Sequence, residues 1–366
     1  MDFGLSDEQH QLKESARAFL SGECPTPTLR KIMASEDGYP RDFYAEVAKL
    51  GWSGLIVPEE FGGAGLGMLD MATILEEGGY AAMPGPFLFS SVLAASALKL
   101  GGSKELNSKW LVALAEGRAI GTVGVVESAG SIEAVDIASV ASKSGAEWRL
   151  DGLKMFVPYA NVADFVVVAA KNSAGEILLF VVDTKSPGVT IRSLKNLDLT
   201  RRVSSVELKG APAELLNGGG ADLFAKLIDV AAVAIAADSL GGTERALEMA
   251  VEYSKIREQF GKPIGSFQAL KHAAAEIVAD LEPARALVWY AAHATGENSS
   301  REASMAKARL CDIYSRSTDR AVLMHGGIGF TWEHDMHLWF KRARFNESYF
   351  GSPGYHRERV AVLGGY

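Results

Sequence analysis

The chain has 366 residues, 48% of them hydrophobic and 22% charged, with a formal net charge of −8. That length supports large packed cores, while the acidic balance and the lack of any Lys/Arg run exclude the phosphate-neutralising surface that a nucleic-acid partner requires. No stretch approaches the roughly 20 apolar residues of a spanning helix, the start carries no basic region of a secretory signal, and the distant Cys24 and Cys311 form neither a metal spacing nor a disulfide framework, so the expectation is a cytoplasmic chain without a membrane span.

Ser6 followed by Gln9 is a capping-box pattern, and Leu12, Ala16, Phe19 and Leu20 recur at helical spacing behind it. Further helices are expected near 41–50, 68–79, 86–101 and 105–116, separated by breaks such as Phe61-Gly62-Gly63-Ala64-Gly65. Near residue 119 the texture changes. Ile120–Val126, Phe165–Ala170, Ile177–Val182 and Val203–Leu208 are short and rich in β-branched or aromatic residues, and the segment Trp148–Met155 alternates around Asp151-Gly152, a two-residue hairpin signal. An antiparallel β domain is therefore expected over about 119–213. After Asn217-Gly218-Gly219-Gly220 the chain turns helical, with long Ala- and Leu-rich segments over about 221–257, 265–295 and 299–325. Such lengths predict a bundle that also packs against other subunits. The fold class is α+β in three parts: 1–118 helical, 119–214 β, and 215–366 a helical bundle.

Two segments carry candidate chemistry. In Arg257-Glu258-Gln259-Phe260-Gly261-Lys262-Pro263, followed by Phe267-Gln268, an arginine beside a Gly–Pro turn can reach a phosphate and an exposed phenylalanine can support an aromatic ring; a plain interhelical loop is the alternative. In His325-Gly326-Gly327-Ile328-Gly329-Phe330, small residues let a phosphate approach backbone N–H groups. That cluster follows no strand and so does not match the dinucleotide fingerprint.

The pair taken together, with Asp2-Phe3 and Asp7-Glu8-Gln9 at the start, Pro58-Glu59-Glu60-Phe61-Gly62-Gly63 and the helical–β–helical order, resembles the acyl-CoA dehydrogenase family nearly end to end. The resemblance implies an FAD-dependent oxidoreductase in which a carboxylate takes the α-proton of an acyl-CoA thioester while the β-hydride passes to the flavin. It also implies an oligomer whose FAD is shared between subunits, and an electron-transfer flavoprotein as acceptor. Arg257 would contact the pyrophosphate, Phe260 the adenine side and Gln268 a nearby polar group, and Gly326 and Gly327 would let the phosphates approach. Leu323 stands where the family often has Gln.

On the flavin side the resemblance weakens. Val126 replaces a threonine, Ser131 retains a serine for phosphate contact, Phe156 can pack on the ring, and Pro158 offers neither hydroxyl nor N–H toward N5. The family's two positions for the base fall on Phe350, in Tyr349-Phe350-Gly351-Ser352, and on about Ala231. Neither accepts a proton. Glu127, Asp238, Glu244 and Glu347 lie near family landmarks. Asp238, in an Ala-rich helix, calls for a partner such as Arg245 or Arg201, or else a function. His325, His334, His337 and His356 match no metal motif and read as packing or solvent-facing residues. Trp332-Glu333-His334-Asp335 and Tyr355-His356-Arg357-Glu358-Arg359 resemble a subgroup that forms mixed tetramers with a second, related subunit. The resemblance thus implies a base-lacking subunit of an α2β2 dehydrogenase. Alternatives are a complete homo-oligomeric enzyme with an unrecognised base, and a silent scaffold or acyl-CoA-binding subunit.

Overall fold

A computed structural model describes residues 4–145, 147–294 and 299–366; Asp2 and Phe3 of the N-terminal resemblance lie outside the described residues. The helices are α1 (Asp7–Glu23), α2 (Thr26–Ala34), α3 (Arg41–Lys49), α4 (Met68–Tyr80), α5 (Ala95–Gly101), α6 (Lys104–Ala115), α7 (Gly220–Ile256), α8 (Gln268–His293), α9 (Ser299–His325), α10 (Met336–Ser348) and α11 (Pro353–Leu363). A π-helical stretch, Leu88–Ala94, leads into α5. The sheet strands are β1 (Gly121–Gly124), β2 (Val140–Ser144), β3 (Glu147–Pro158), β4 (Phe165–Lys171), β5 (Ile177–Asp183), β6 (Val189–Leu194) and β7 (Val203–Leu215).

The chain divides into two compact units. A mixed unit comprises Lys31–Gly67 and Pro84–Ala231; a helical unit comprises Met1–Arg30, Met68–Met83 and Ala232–Tyr366. In the mixed unit one sheet runs in the order β1-β4-β2-β3-β7-β5, with β6 on β7. Antiparallel ladders dominate, but β1 pairs with β4 in parallel, Gly121 opposite Phe165, so the sheet is mixed rather than purely antiparallel. Its core gathers Leu150, Val157, Val166, Val168, Phe180, Val182, Val206 and Leu208 from successive strands. β4 is buried at six consecutive positions, which explains its unbroken apolar run.

The expected turn at Asp151-Gly152 is overturned. β2 and β3 reverse between Ser144 and Glu147, and Asp151-Gly152 sits mid-strand at a register shift between Leu150 and Gly152. The glycine has another cause: a Cβ there would lie 2.1 Å from the Ser139 hydroxyl.

In the helical unit, α1 begins with the expected capping box, Ser6 and Gln9 each bonding the other's backbone N–H. α4 and α7 touch backbone to backbone: a Cβ on Gly79 would lie 1.9 Å from the Asp238 carbonyl oxygen, and one on Gly241 would lie 1.7 Å from that of Glu76. The buried Glu76 and Glu77 are matched by Lys13, Arg17 and Arg285, and Arg17 and Arg285 also hold Glu244. α10 and α11 did not stand out in the sequence pattern. Cys24 and Cys311 are free and buried, and burial pushes the Cys24 thiol up to about 12. Among the described residues no helix is long and apolar enough to cross a membrane.

Candidate functional site

In the helical unit, α7 ends at Ile256 and Arg257 opens a two-strand turn, Glu258–Gln259 against Lys262–Pro263. The tip, Phe260-Gly261, has φ of +54° and +77°, the left-handed pair that a tight two-residue loop demands. Gly261 accepts this freely, whereas a phenylalanine there is strained. Phe260 is 92% exposed, with an edge-on contact to Phe267 at 6.1 Å between ring centroids. Among the described residues the Arg257 guanidinium has no ion-pair partner, although Arg309, Arg316, Arg320 and Arg344 of the same unit all do. Gln268 opens α8, whose N-terminus has no side-chain cap.

The glycine loop follows α9. Gly326 has φ +66°, a left-handed helix end. Gly329 is fixed by packing, since a Cβ would lie 2.7 Å from that of His325. Gly327 has neither reason; a Cβ there would meet nothing within 4 Å. The chain itself does not require that glycine, and the open space beside it suits an approaching external group. Around these elements Ile256, Phe260, Leu323 and Phe330 are 78%, 92%, 78% and 82% exposed. An apolar set of this kind needs cover from outside the chain. Unpaired arginine, open glycine backbone and exposed aromatics fit the phosphates and adenine of FAD.

The flavin-side positions lie in the mixed unit. Met155 N donates to the Val126 carbonyl at 2.8 Å, tying the segment that follows β1 to β3. Phe156 stands at φ +53° and is 48% exposed, so it can carry an aromatic ring. Val126 brings no polar side-chain atom, Ser131 Oγ already accepts from Glu133 N at 3.0 Å, and Pro158 is buried with its carbonyl taken by Thr122 Oγ1. These residues fit stacking but not the polar edge of an isoalloxazine.

Neither position expected for the base can act as one. Phe350 is fully buried at φ +54°, edge-on to Tyr349 at 4.9 Å, and its carbonyl accepts from His356 Nε2 at 2.8 Å. Ala231 is also fully buried. The other candidate carboxylates are neutralised. Asp238 is held by Arg342 through two bonds and by Asn346 Nδ2 at 2.7 Å; Arg342 was not among the partners expected from sequence, and Arg245 bonds Glu248 and Tyr80 instead. Glu244 lies between Arg17 and Arg285 at 3.0 and 2.8 Å. Burial alone would raise its carboxyl, but the two guanidiniums outweigh burial and hold it below the usual range. Glu347 is bound by Arg344 and Ser315.

Glu127, almost fully buried, meets the completely buried Lys154 and accepts from Ser139 and Ala138. Burial opposes its charge, yet Lys154 and these bonds hold it low. Sequence reasoning missed Lys154; the signal was a lysine on an inward position of an apolar strand. Among the described residues no cluster of His, Cys, Asp or Glu is arranged to hold a metal.

Comparison with known proteins adds three matches in sequence order: the acyl-CoA dehydrogenase N-terminal domain over residues 6–118, the middle domain over 122–209 and the C-terminal domain over 218–362. The chain is 34% identical to acyl-CoA dehydrogenase IpdE2 of Mycolicibacterium smegmatis, covering 98% of each chain. Among solved structures it resembles a chain of the ChsE4–ChsE5 complex of Mycobacterium tuberculosis, with TM-score 0.92 and 29% identity over 100% of this chain and 99% of that one. It also resembles a chain of the Tcur3481–Tcur3483 steroid ACAD, with TM-score 0.90 and 28% identity over 98% of each.

Proposed function

The chain belongs to the acyl-CoA dehydrogenase family, FAD-dependent oxidoreductases acting on CH–CH bonds, and from that premise we propose that it is the base-lacking subunit of a mixed α2β2 dehydrogenase. Its nucleotide-side half, built on Arg257, Phe260, Gln268, Gly326 and Gly327 and flanked by Leu323, serves an FAD whose flavin ring lies on a second, related subunit. That subunit supplies the carboxylate. The substrate is an acyl-CoA thioester, and the Tcur3481–Tcur3483 likeness favours a steroid-derived acyl group. Electrons leave to an electron-transfer flavoprotein. The working domain limits are 1–118, 119–214 and 215–366.

The observation that carries this reading is the asymmetry between the two halves. The family's base positions hold Phe350 and Ala231, both fully buried, whereas Arg257 and Phe260 stand ready in solvent. A half-site under functional demand retains its polar groups; an unused one is free to lose them, as at Val126 and Pro158. FAD supplies the hydride acceptor when bound, and this chain's residues orient its nucleotide end.

The experiment is purification of the chain alone and together with the related subunit. Alone it should hold little FAD and desaturate no acyl-CoA; together they should bind flavin and turn over. Full desaturation by the chain alone would sink the proposal.

A further inference from the structure

The glycine loop is bracketed by two histidines whose rings meet. His325 ends α9 and His334 lies just ahead of α10, with ring centroids 4.2 Å apart. His325 is 3% exposed; its Nδ1 donates to the Ala321 carbonyl at 2.7 Å, and Tyr253 of α7 covers the ring at 4.7 Å. His334 Nδ1 accepts from the Met336 backbone N–H at 3.1 Å, at the start of α10. That acceptor exists only while Nδ1 carries no proton. The surrounding charges are Arg30 of α2, paired with Asp335 at 2.7 Å, and Lys341 of α10, which lies 3.7 Å from the Trp332 ring centroid.

We propose that His325 and His334 are positioning residues that clasp residues 326–333 in the form that receives the nucleotide, and that the clasp holds only while both rings are neutral. A proton on His334 would replace the acceptor of Met336 N–H with a second donor. It would also set a cation at the positive end of α10 and against its histidine neighbour. Burial, then the neighbouring His325, hold the His334 imidazole below its ordinary value, and burial does the same for His325. The role assigned to the loop rests on the reading above, but the clasp is tested without FAD, so the two fail separately.

The test is hydrogen exchange of the peptide spanning residues 326–336 in the full chain, corrected for the intrinsic pH dependence of exchange. Wild type should lose protection by up to about tenfold for each pH unit as pH falls from the ordinary imidazole value towards the depressed folded-state value, and level off below it. His334→Asn should lose less protection at low pH than wild type, because an asparagine accepts the N–H two residues on without titrating and only His325 is left to take up a proton. His334→Leu should be unprotected at every pH. Equal protection of wild type at pH 7 and pH 5 overturns the clasp, as does a His334→Asn profile that follows wild type; the wild-type titration decides alone if neither variant folds.

Discussion

Backbone strain falls at three of the positions that the family resemblance selects. Outside glycine, positive φ occurs among the described residues at Ala82, Phe156, Tyr159, Phe260 and Phe350. Phe156, Phe260 and Phe350 are the flavin-ring, adenine-side and base positions that the family resemblance had selected. Such conformations cost on the order of 1–3 kcal/mol and persist where the surroundings over-determine them. Asp238 shows the opposite case, an acidic residue whose oddness is structural. Its side chain is 2% exposed and paired with an Arg342 that is 4% exposed, so removing the carboxylate leaves a buried guanidinium without its counter-ion. Asp238→Ala should cost roughly 3–5 kcal/mol in urea unfolding. Were Asp238 an unrecognised base, the variant would unfold like wild type and lose only turnover in the assembled enzyme.

Whole elements were legible where periodicity ran long. α7, α8 and α9 fall close to their expected spans, because repeated burial of one face writes itself into many residues. Shorter elements with a clear apolar pattern, such as α3, α4, β4 and β5, were legible too, whereas α2, α10, α11 and β6 were not. α10 carries Trp339, Arg342 and Asn346 inward, a mix without apolar rhythm, and β6 alternates too weakly to register. The two candidate nucleotide-side segments stood out in the sequence because each is a contiguous run. The clasp did not, since His325 and His334 read as ordinary residues until the loop folds their rings together. The α4–α7 contact was equally invisible, yet it governs glycine tolerance. Gly241→Ala should destabilise by roughly 1–3 kcal/mol, because its Cβ meets the rigid Glu76 carbonyl. Gly78→Ala, whose Cβ would meet only the Met83 side chain at 3.6 Å, should be neutral or stabilising by up to about 1 kcal/mol. Calorimetry of the two variants separates backbone contact from helix propensity, and equal melting temperatures would refute the distinction.

For the molecule as a whole, the buried imidazoles set a one-sided pH response. Burial pushes His356 down to about 4, with the Phe350 carbonyl opposing and Lys307 and Arg359 adding to the fall. Burial does the same to His337, again to about 4, helped by Lys341 and Arg30. Above the ordinary value near 6.5 both are neutral whether folded or unfolded, and they contribute nothing to the slope. Between 6.5 and 4 the unfolded chain binds protons that the folded chain refuses, so stability falls as pH falls through this window and levels off below it. A shift of that size corresponds to an upper figure on the order of 3 kcal/mol for each ring at full titration. Glu127 and Glu244, whose charged forms are favoured in the fold, extend the decline below the ordinary carboxylate range. Urea midpoints should therefore drop steadily from pH 7 to pH 5. His356→Asn, which has no titrating ring, should show a shallower drop than wild type even if its stability at pH 7 is lower. The His356 N–H that holds the Phe350 carbonyl survives protonation of the ring, so the acid limb acts through the burial of the charge and not through that bond. Identical midpoints at pH 7 and pH 5 would show that these rings take up protons as readily inside the fold as outside it.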